Sequence, residues 1–218
     1  AGVTLMLELR NVSVDYADQP MMSNLSLAVA TKEIVSLVGP SGSGKTTLLR
    51  VIAGLEKPRT GSIVIDGSDI SAVPTHQRGI GLVFQDNQLF PHLTVEQNIA
   101  YPLRMRGQSK ADCQPQVEAM LQLIGLQQFG SRHVQHLSGG EAKRVAVARS
   151  LIAQPSVLLL DEPLTGLDTE LHDRLLHDIA ALLRARGTTV VHVTHDLREA
   201  TTLSDRVIDI REIGAPCK

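Results

Sequence analysis

One segment restricts the fold of this chain more than any other. The apolar run Ile34-Val35-Ser36-Leu37-Val38 leads into Gly39-Pro40-Ser41-Gly42-Ser43-Gly44-Lys45-Thr46, and then into Thr47-Leu48-Leu49-Arg50-Val51-Ile52. A strand, a glycine-rich turn and a helix start, in that order, are the setting of a phosphate-binding loop. Glycines let the backbone turn tightly so that successive N–H groups face inward, and the helix N-terminus adds partial positive charge. Lys45 is the cation expected at the β- and γ-phosphates, and Thr46 the hydroxyl expected on a Mg²⁺ ion. The segment predicts that the chain binds a nucleoside triphosphate.

The remaining strand-like segments are of two kinds. Val3, Leu5, Leu7 and Leu9 alternate, and Val12 and Val14 resume in the other phase after Asn11, which predicts a bulge. Leu25–Val29 and Gly61–Asp66 alternate with polar residues as well, the latter closed by Asp66-Gly67. These suit a small antiparallel sheet. By contrast Ile34–Val38, Ile80–Phe84, Val157–Leu160, Thr189–Val193 and Val207–Ile210 are short, mostly apolar and β-branched, as strands covered by helices on both faces should be. After Asp168, the residues Leu171, Leu175, Leu176, Ile179, Leu182 and Leu183 form one helical stripe that Arg186-Gly187 ends. Residues 86–155 interrupt the alternation with helical patterns at Thr94–Leu103, Pro115–Ile124 and Gly140–Ala153. The expected architecture is α/β: one domain over 1–218, with a P-loop NTPase core of parallel sheet and flanking helices. An antiparallel β subdomain shares 1–85 and 156–218 with that core, and an α-helical subdomain is inserted at 86–155.

Composition excludes several classes. A hydrophobic share of 43% with a net charge of −2 describes a soluble globular protein with no basic excess to attract nucleic acid. No apolar run approaches the roughly 20 residues that cross a bilayer, and no signal peptide is visible, so membrane contact is expected through a partner. Cys113 and Cys217 match no metal or redox spacing and are read as free thiols in a reducing compartment. Met6 offers a natural start, which marks residues 1–5 as additions. Among the 8 histidines, His172 and His177 are poorly spaced for ligation, and His192 and His195 point to opposite faces of a strand end. His133 and His136 lie in the segment before Leu137. No structural metal site is expected.

Two further segments carry chemistry. Val157-Leu158-Leu159-Leu160-Asp161-Glu162 delivers two carboxylates at the C-terminal end of an apolar strand, where open parallel sheets bind ligands. Asp161 is placed to hold Mg²⁺, and Glu162 to act as general base on water attacking the γ-phosphate. Leu137-Ser138-Gly139-Gly140-Glu141 opens a helix with Ser138 as N-cap, a second anion-binding helix N-terminus or simply a capped surface helix.

Together with Thr165-Gly166-Leu167-Asp168, these segments resemble, in order, the Walker A, signature, Walker B and D-loop motifs of ATP-binding cassette (ABC) ATPases. Tyr16 matches the aromatic that stacks on adenine in that family, Gln85 the Q-loop glutamine and His195 the switch histidine. The resemblance runs from about Leu7 to Ile210. Glu141 stands where glutamine is commoner, and Thr165 where many members have serine.

The resemblance implies an ATPase using ATP and Mg²⁺. Its nucleotide-binding residues are Tyr16, Gly39, Pro40, Ser41, Gly42, Ser43, Gly44, Lys45, Thr46 and Thr47, with Ser138, Gly140 and Asp168 completing the site from a second chain. The catalytic set is Glu162, His195, Lys45 and Gln85, and the metal set Thr46, Gln85 and Asp161. It also implies a head-to-tail homodimer or ABC-type heterodimer that clasps ATP and parts after hydrolysis. The segment Gln85–Asn98, with Leu89, Phe90 and Leu93, resembles the surface of importer subunits that docks a transmembrane permease. Thr194–Ala200 resembles the switch region of importers for sugars, polyamines, sulfate or ferric iron. Those proteins often carry a C-terminal regulatory domain, and none is expected before Lys218. The expected role is a cytoplasmic subunit, peripheral on the inner face of the cell membrane, that powers solute transport through permease subunits with a solute-binding protein. The rivals are an exporter or lipoprotein-release system and a soluble ABC ATPase acting on nucleic acid, though no nucleic-acid partner is expected.

Overall fold

A computed structural model describes residues 4–16, 19–167 and 169–216. In chain order, β1 (Leu5–Tyr16), β2 (Gln19–Ala30), β3 (Ile34–Val38) and α1 (Lys45–Ala53) come first, followed by β4 (Thr60–Ile65), β5 (Ser68–Asp69) and β6 (Ile80–Val83). Then come α2 (Val95–Met105), α3 (Lys110–Leu123), α4 (Gly139–Ile152), β7 (Val157–Asp161) and α5 (Thr169–Arg186). The last elements are β8 (Thr189–Thr194), α6 (Leu197–Leu203), β9 (Arg206–Asp209), α7 (Ile210–Ile213) and β10 (Ala215–Pro216). The chain divides into two compact units: Ala1–Leu82 with Ser156–Glu162 and Gly187–Lys218, and Val83–Pro155 with Pro163–Arg186.

The first unit contains both kinds of strand. An antiparallel five-stranded sheet runs β10-β2-β1-β4-β5, and a second five-stranded sheet runs β6-β7-β8-β3-β9, parallel through β7, β8, β3 and β9. Every residue of β3, β7 and β8 is buried, which is why these strands carry no polar alternation. Between the sheets, α1 buries Leu48, Leu49, Val51 and Ile52 in a core that also holds Leu7, Leu25 and Leu159. The predicted bulge is present: Asn11 takes a φ of 51° and the β1–β2 register shifts between Leu9 and Val12. Asp66 and Gly67, at φ 46° and 74°, make the two-residue turn that pairs Ile65 with Ser68, with the twist a right-handed hairpin needs.

The elements depart from expectation in three places. Strand β2 starts at Gln19 rather than Leu25. Asn24, at φ 56°, breaks the alternation, so Met22 and Leu25 both reach the core although they are three apart. At the other end of the chain, Ile210 leaves β9 and opens α7, because the Asp209 carboxylate accepts the Arg211 N–H at 2.9 Å and caps a helical turn.

The third departure lies in the second unit, which carries α2 to α5. Helix α3 starts at Lys110, with Pro115 inside it, rather than at Pro115. Ser109 and Asp112 form a reciprocal capping box, and the buried stripe Cys113, Val117, Met120 and Leu121 begins before the proline. Packing of that stripe outweighs the one helical hydrogen bond that Pro115 removes. Thr94 caps α2 through a matching box with Gln97. Of the α5 stripe, Leu175, Leu176, Ile179, Leu182 and Leu183 are buried, while Leu171 is half-buried. No helix among the described residues is long and apolar enough to cross a membrane.

Candidate active site

The turn after β3 is built to leave donors unused. Gly42 and Gly44 take φ values of 79° and 89°, in the left-handed region that side chains resist. Gly44 is the residue before α1 and has no side chain to cap it, so the first N–H groups of that helix have no side-chain acceptor. A Cβ on Gly44 would lie 2.8 Å from Met21 Sδ and 2.9 Å from Met22 Sδ, so a larger residue there would also have to push both methionine side chains aside. Ser43 Oγ is buried with no hydrogen-bond partner, an orphan that a phosphate oxygen fits. The Lys45 ammonium donates to the carbonyls of Gly39 at 2.8 Å and Pro40 at 3.0 Å, stretched along the loop. The adjoining Ser41 is exposed and Thr47 buried.

Two carboxylates face this loop from the end of β7. Thr46 Oγ1 donates to Asp161 Oδ1 at 2.9 Å, which brings the two expected Mg²⁺ ligands together. Burial pushes the Asp161 pKa above the ordinary carboxylate value; the Thr46 hydroxyl pulls it back, Glu162 adds a further rise, and Arg50 and Lys45 oppose it. Burial likewise pushes Lys45 below the ordinary lysine value, against the attraction of Glu162 and Asp161. A divalent cation beside Asp161 and an anion beside Lys45 would relieve both penalties, so the donor set fits a magnesium–phosphate group.

Glu162 sits at φ 43°, a strained conformation for a glutamate, with its N–H on the Val193 carbonyl at 3.0 Å. That geometry aims the carboxylate at His195, whose Nδ1 is 3.3 Å from Glu162 Oε2. The imidazole is 54% exposed and the carboxylate 18%, so the pair is open to a ligand on one side. The first unit thus brings Gly39–Thr47, Asp161, Glu162 and His195 together.

The other predicted residues belong to the second unit or lie outside the described residues. Gln85 is exposed just past β6, and its carbonyl accepts from the buried Lys143 ammonium at 3.4 Å. The Arg149 guanidinium holds the next residues through the carbonyls of Asn87 at 3.0 Å and Gln88 at 2.9 Å. Neither basic residue was singled out from the sequence, where each reads as an ordinary helical cation. Ser138 caps α4: its hydroxyl accepts the Glu141 N–H at 3.3 Å while Glu141 Oε2 accepts the Ser138 N–H at 2.7 Å. The box explains why glutamate serves at position 141. A Cβ on Gly140 would press on the side-chain ends of Leu171 and Leu175 at 3.0–3.1 Å, so those leucines would have to give way by a few tenths of an ångström. Phe90 stacks on Tyr101 at 4.4 Å under the Arg149 guanidinium, and the Asn98 side chain holds its backbone. The Tyr16 side chain, Asp168, Cys217 and Val3 lie outside the described residues; Cys113 is buried with a free thiol.

Known proteins resemble this chain over most of its length. The family pattern described as ABC transporter matches residues 22–165. The chain is 47% identical over 207 residues to the Fe(3+) ions import ATP-binding protein FbpC of Streptomyces coelicolor, covering 95% of this chain and 60% of that protein. Identity is 44% over 220 positions with the spermidine/putrescine import ATP-binding protein PotA of Spiroplasma citri, covering 99% and 63%. With the putrescine transport ATP-binding protein PotG of Escherichia coli it is 45% over 206 residues, covering 94% and 55%. The chain therefore spans about three fifths of the length of these relatives. Among solved structures, the ATP-binding cassette MJ0796, in a dimeric post-hydrolysis state bound to ADP and Pi, superimposes with a TM-score of 0.81 at 32% identity, covering 94% of each chain.

Proposed function

The chain belongs to the ABC transporter family, and on that footing we propose that it binds and hydrolyses ATP to drive import of a solute through partner permease subunits. One observation carries the reading: the uncapped start of α1, with Lys45 and Thr46, faces Asp161 and Glu162, and Glu162 is held against His195. Bound Mg²⁺ would supply charge neutralisation at the β- and γ-phosphates. Thr46 and Asp161 would hold it. Lys45 exchanges its two loop carbonyls for phosphate oxygens, and Ser43 Oγ gains the partner it lacks. Glu162 takes the proton of the attacking water, and His195 orients that water against the γ-phosphate.

The dimeric, ADP- and Pi-bound state of MJ0796 supports a two-chain site. In it Ser138 and Gly140 of the partner subunit cover the phosphates, Asp168 of the partner subunit joins them, and the Tyr16 ring stacks on adenine. The names of the FbpC and PotA relatives support import over export; a place at the inner face of the membrane and a solute-binding protein upstream of the permease belong to the same reading. The segment Gln85–Asn98 is the part that meets the permease, and two of its residues, Leu93 and Gln97, line a cleft of about 320 Å³ with Tyr101, Arg104 and Val117. The solute is selected by those partners.

The test is Glu162→Gln. The variant should bind ATP as the unaltered chain does, lose turnover by about a hundredfold or more, and form an ATP-dependent dimer detectable by light scattering. Normal turnover in the variant would remove Glu162 from its role.

A further inference from the structure

Behind His195 lies a chain of buried polar groups for which the proposed reaction has no use. Ser36, His192, Thr194 and Glu199 are exposed by 0%, 0%, 1% and 3%, among buried side chains that are mostly aliphatic. The four are joined end to end. Ser36 Oγ is 2.8 Å from His192 Nδ1, and His192 Nε2 is 3.0 Å from Glu199 Oε1. Thr194 Oγ1 donates to Glu199 Oε2 at 2.9 Å and accepts the Asp196 N–H at 3.1 Å. With Glu199 ionised, its Oε1 accepts from His192, which puts a ring proton on Nε2 and runs the chain of bonds from the ring to Glu199. Ser36 is too buried to meet a substrate, so a nucleophile–histidine–carboxylate reaction is ruled out.

The placement of these groups suggests their use. Ser36 and His192 are direct partners across the parallel pair β3–β8, and β3 runs straight into Gly39 and the phosphate loop. Glu199 comes from α6, whose cap Asp196 accepts the N–H groups of Arg198 at 2.7 Å and Glu199 at 3.3 Å. His195 stands between Thr194 and Asp196, the two residues that this chain of hydrogen bonds ties down. A side chain capable of only one bond at position 192 would leave either Glu199 or Ser36 without its partner in a dry interior.

We propose that His192 is a positioning residue for ATP hydrolysis: through Glu199 and Thr194 it fixes the turn that presents His195 to Glu162, and through Ser36 it ties that turn to the strand feeding the phosphate loop. The proposal rests on the function proposed above, and its test separates the two. Histidine rings labelled with ¹⁵N are followed by NMR in the whole chain, alongside nucleotide affinity and turnover. His192→Phe keeps the volume and removes both bonds. His195 ring signals should move, and kcat should fall about tenfold or more with ATP affinity within about twofold. His192→Gln, whose amide can still donate to Glu199, should recover most of the loss. Thr194→Val, which severs the link one step closer to His195, should reproduce the His195 shift, and it decides the matter if His192→Phe does not fold. Unmoved His195 signals in the folded variants, or equal loss of affinity and turnover, would overturn the proposal. Absence of turnover in the unaltered chain would instead overturn the ATPase reading, while the ring signals would still judge the role of His192.

Discussion

Helix α1 carries the phosphate-loop residues at one end, and its other end is held by a single side chain. Arg78 is 6% exposed; its Nε donates to the Val73 carbonyl at 2.8 Å, its Nη1 to those of Val51 at 3.0 Å and Ile52 at 2.8 Å, and its Nη2 to that of Ser71 at 3.0 Å. Burial pushes its pKa below the ordinary arginine value, so the charge is held there at a cost that these bonds and the negative end of the helix offset. Arg78→Met keeps much of the volume but removes every donor. Val51 retains the Gly54 N–H at 3.1 Å, whereas the carbonyls of Ile52, Val73 and Ser71 lose the guanidinium. At about 1–3 kcal/mol for each buried group left unpaired, the loss is roughly 3–9 kcal/mol. Freeing the interior of a charge and packing a thioether returns part of it, which leaves a net loss of about 3–5 kcal/mol. At about 2–4 °C per kcal/mol for a chain of this size, the midpoint should fall by roughly 10 °C. Thermal unfolding followed by circular dichroism and by calorimetry measures it. Arg78→Lys should lose nearly as much, because one ammonium cannot span carbonyls arranged around a planar fork. A midpoint within about 1 °C of the original for Arg78→Met would show that these carbonyls find other partners and refute the reasoning.

Asp161→Asn should stabilise the nucleotide-free, magnesium-free chain at pH 7. Its carboxyl pKa is raised on folding, so the folded state binds the proton more tightly; stability is lost as pH rises from the ordinary carboxylate value through the folded one, and the amide escapes that loss. The advantage should vanish below the carboxylate range, and a variant less stable at pH 7 would contradict it. Gly61→Ala should cost about 3 kcal/mol or more, since Gly61 has φ 87° and a Cβ would collide with the Asn11 backbone carbonyl across the bulge; chemical denaturation reads it. Lys45→Ala should weaken binding of a fluorescent ATP analogue by at least about tenfold while leaving the fold intact; unchanged affinity would count against the loop assignment.

What could be read in the sequence is what short-range chemistry dictates. The phosphate loop, the Asp66-Gly67 turn, the Asn11 bulge and the mostly apolar strands each announce themselves within a few residues, because dihedral preference and burial on both faces leave local marks. The misread elements are those in which a local mark pointed elsewhere. Pro115 looks like a helix start, but the Ser109–Asp112 box and the stripe from Cys113 decide where α3 begins. The early half of β2 lacks alternation because Asn24 resets its phase. In the candidate site, the loop and the Asp161-Glu162 pair could be read for their residue types, but the contact of Thr46 with Asp161 joins residues 115 apart. The bond of Ser36 to His192 spans 156 positions and that of Arg78 to Val51 spans 27, and nothing near either residue encodes it. A buried arginine and a buried histidine have the same local signature as surface ones. Only the partner, supplied by the fold, turns a solvated cation into a helix brace or a packing histidine into a joint behind His195. Residues proposed to act directly on a ligand are therefore legible from spacing, whereas those that hold them in place become visible only once the strands have been paired.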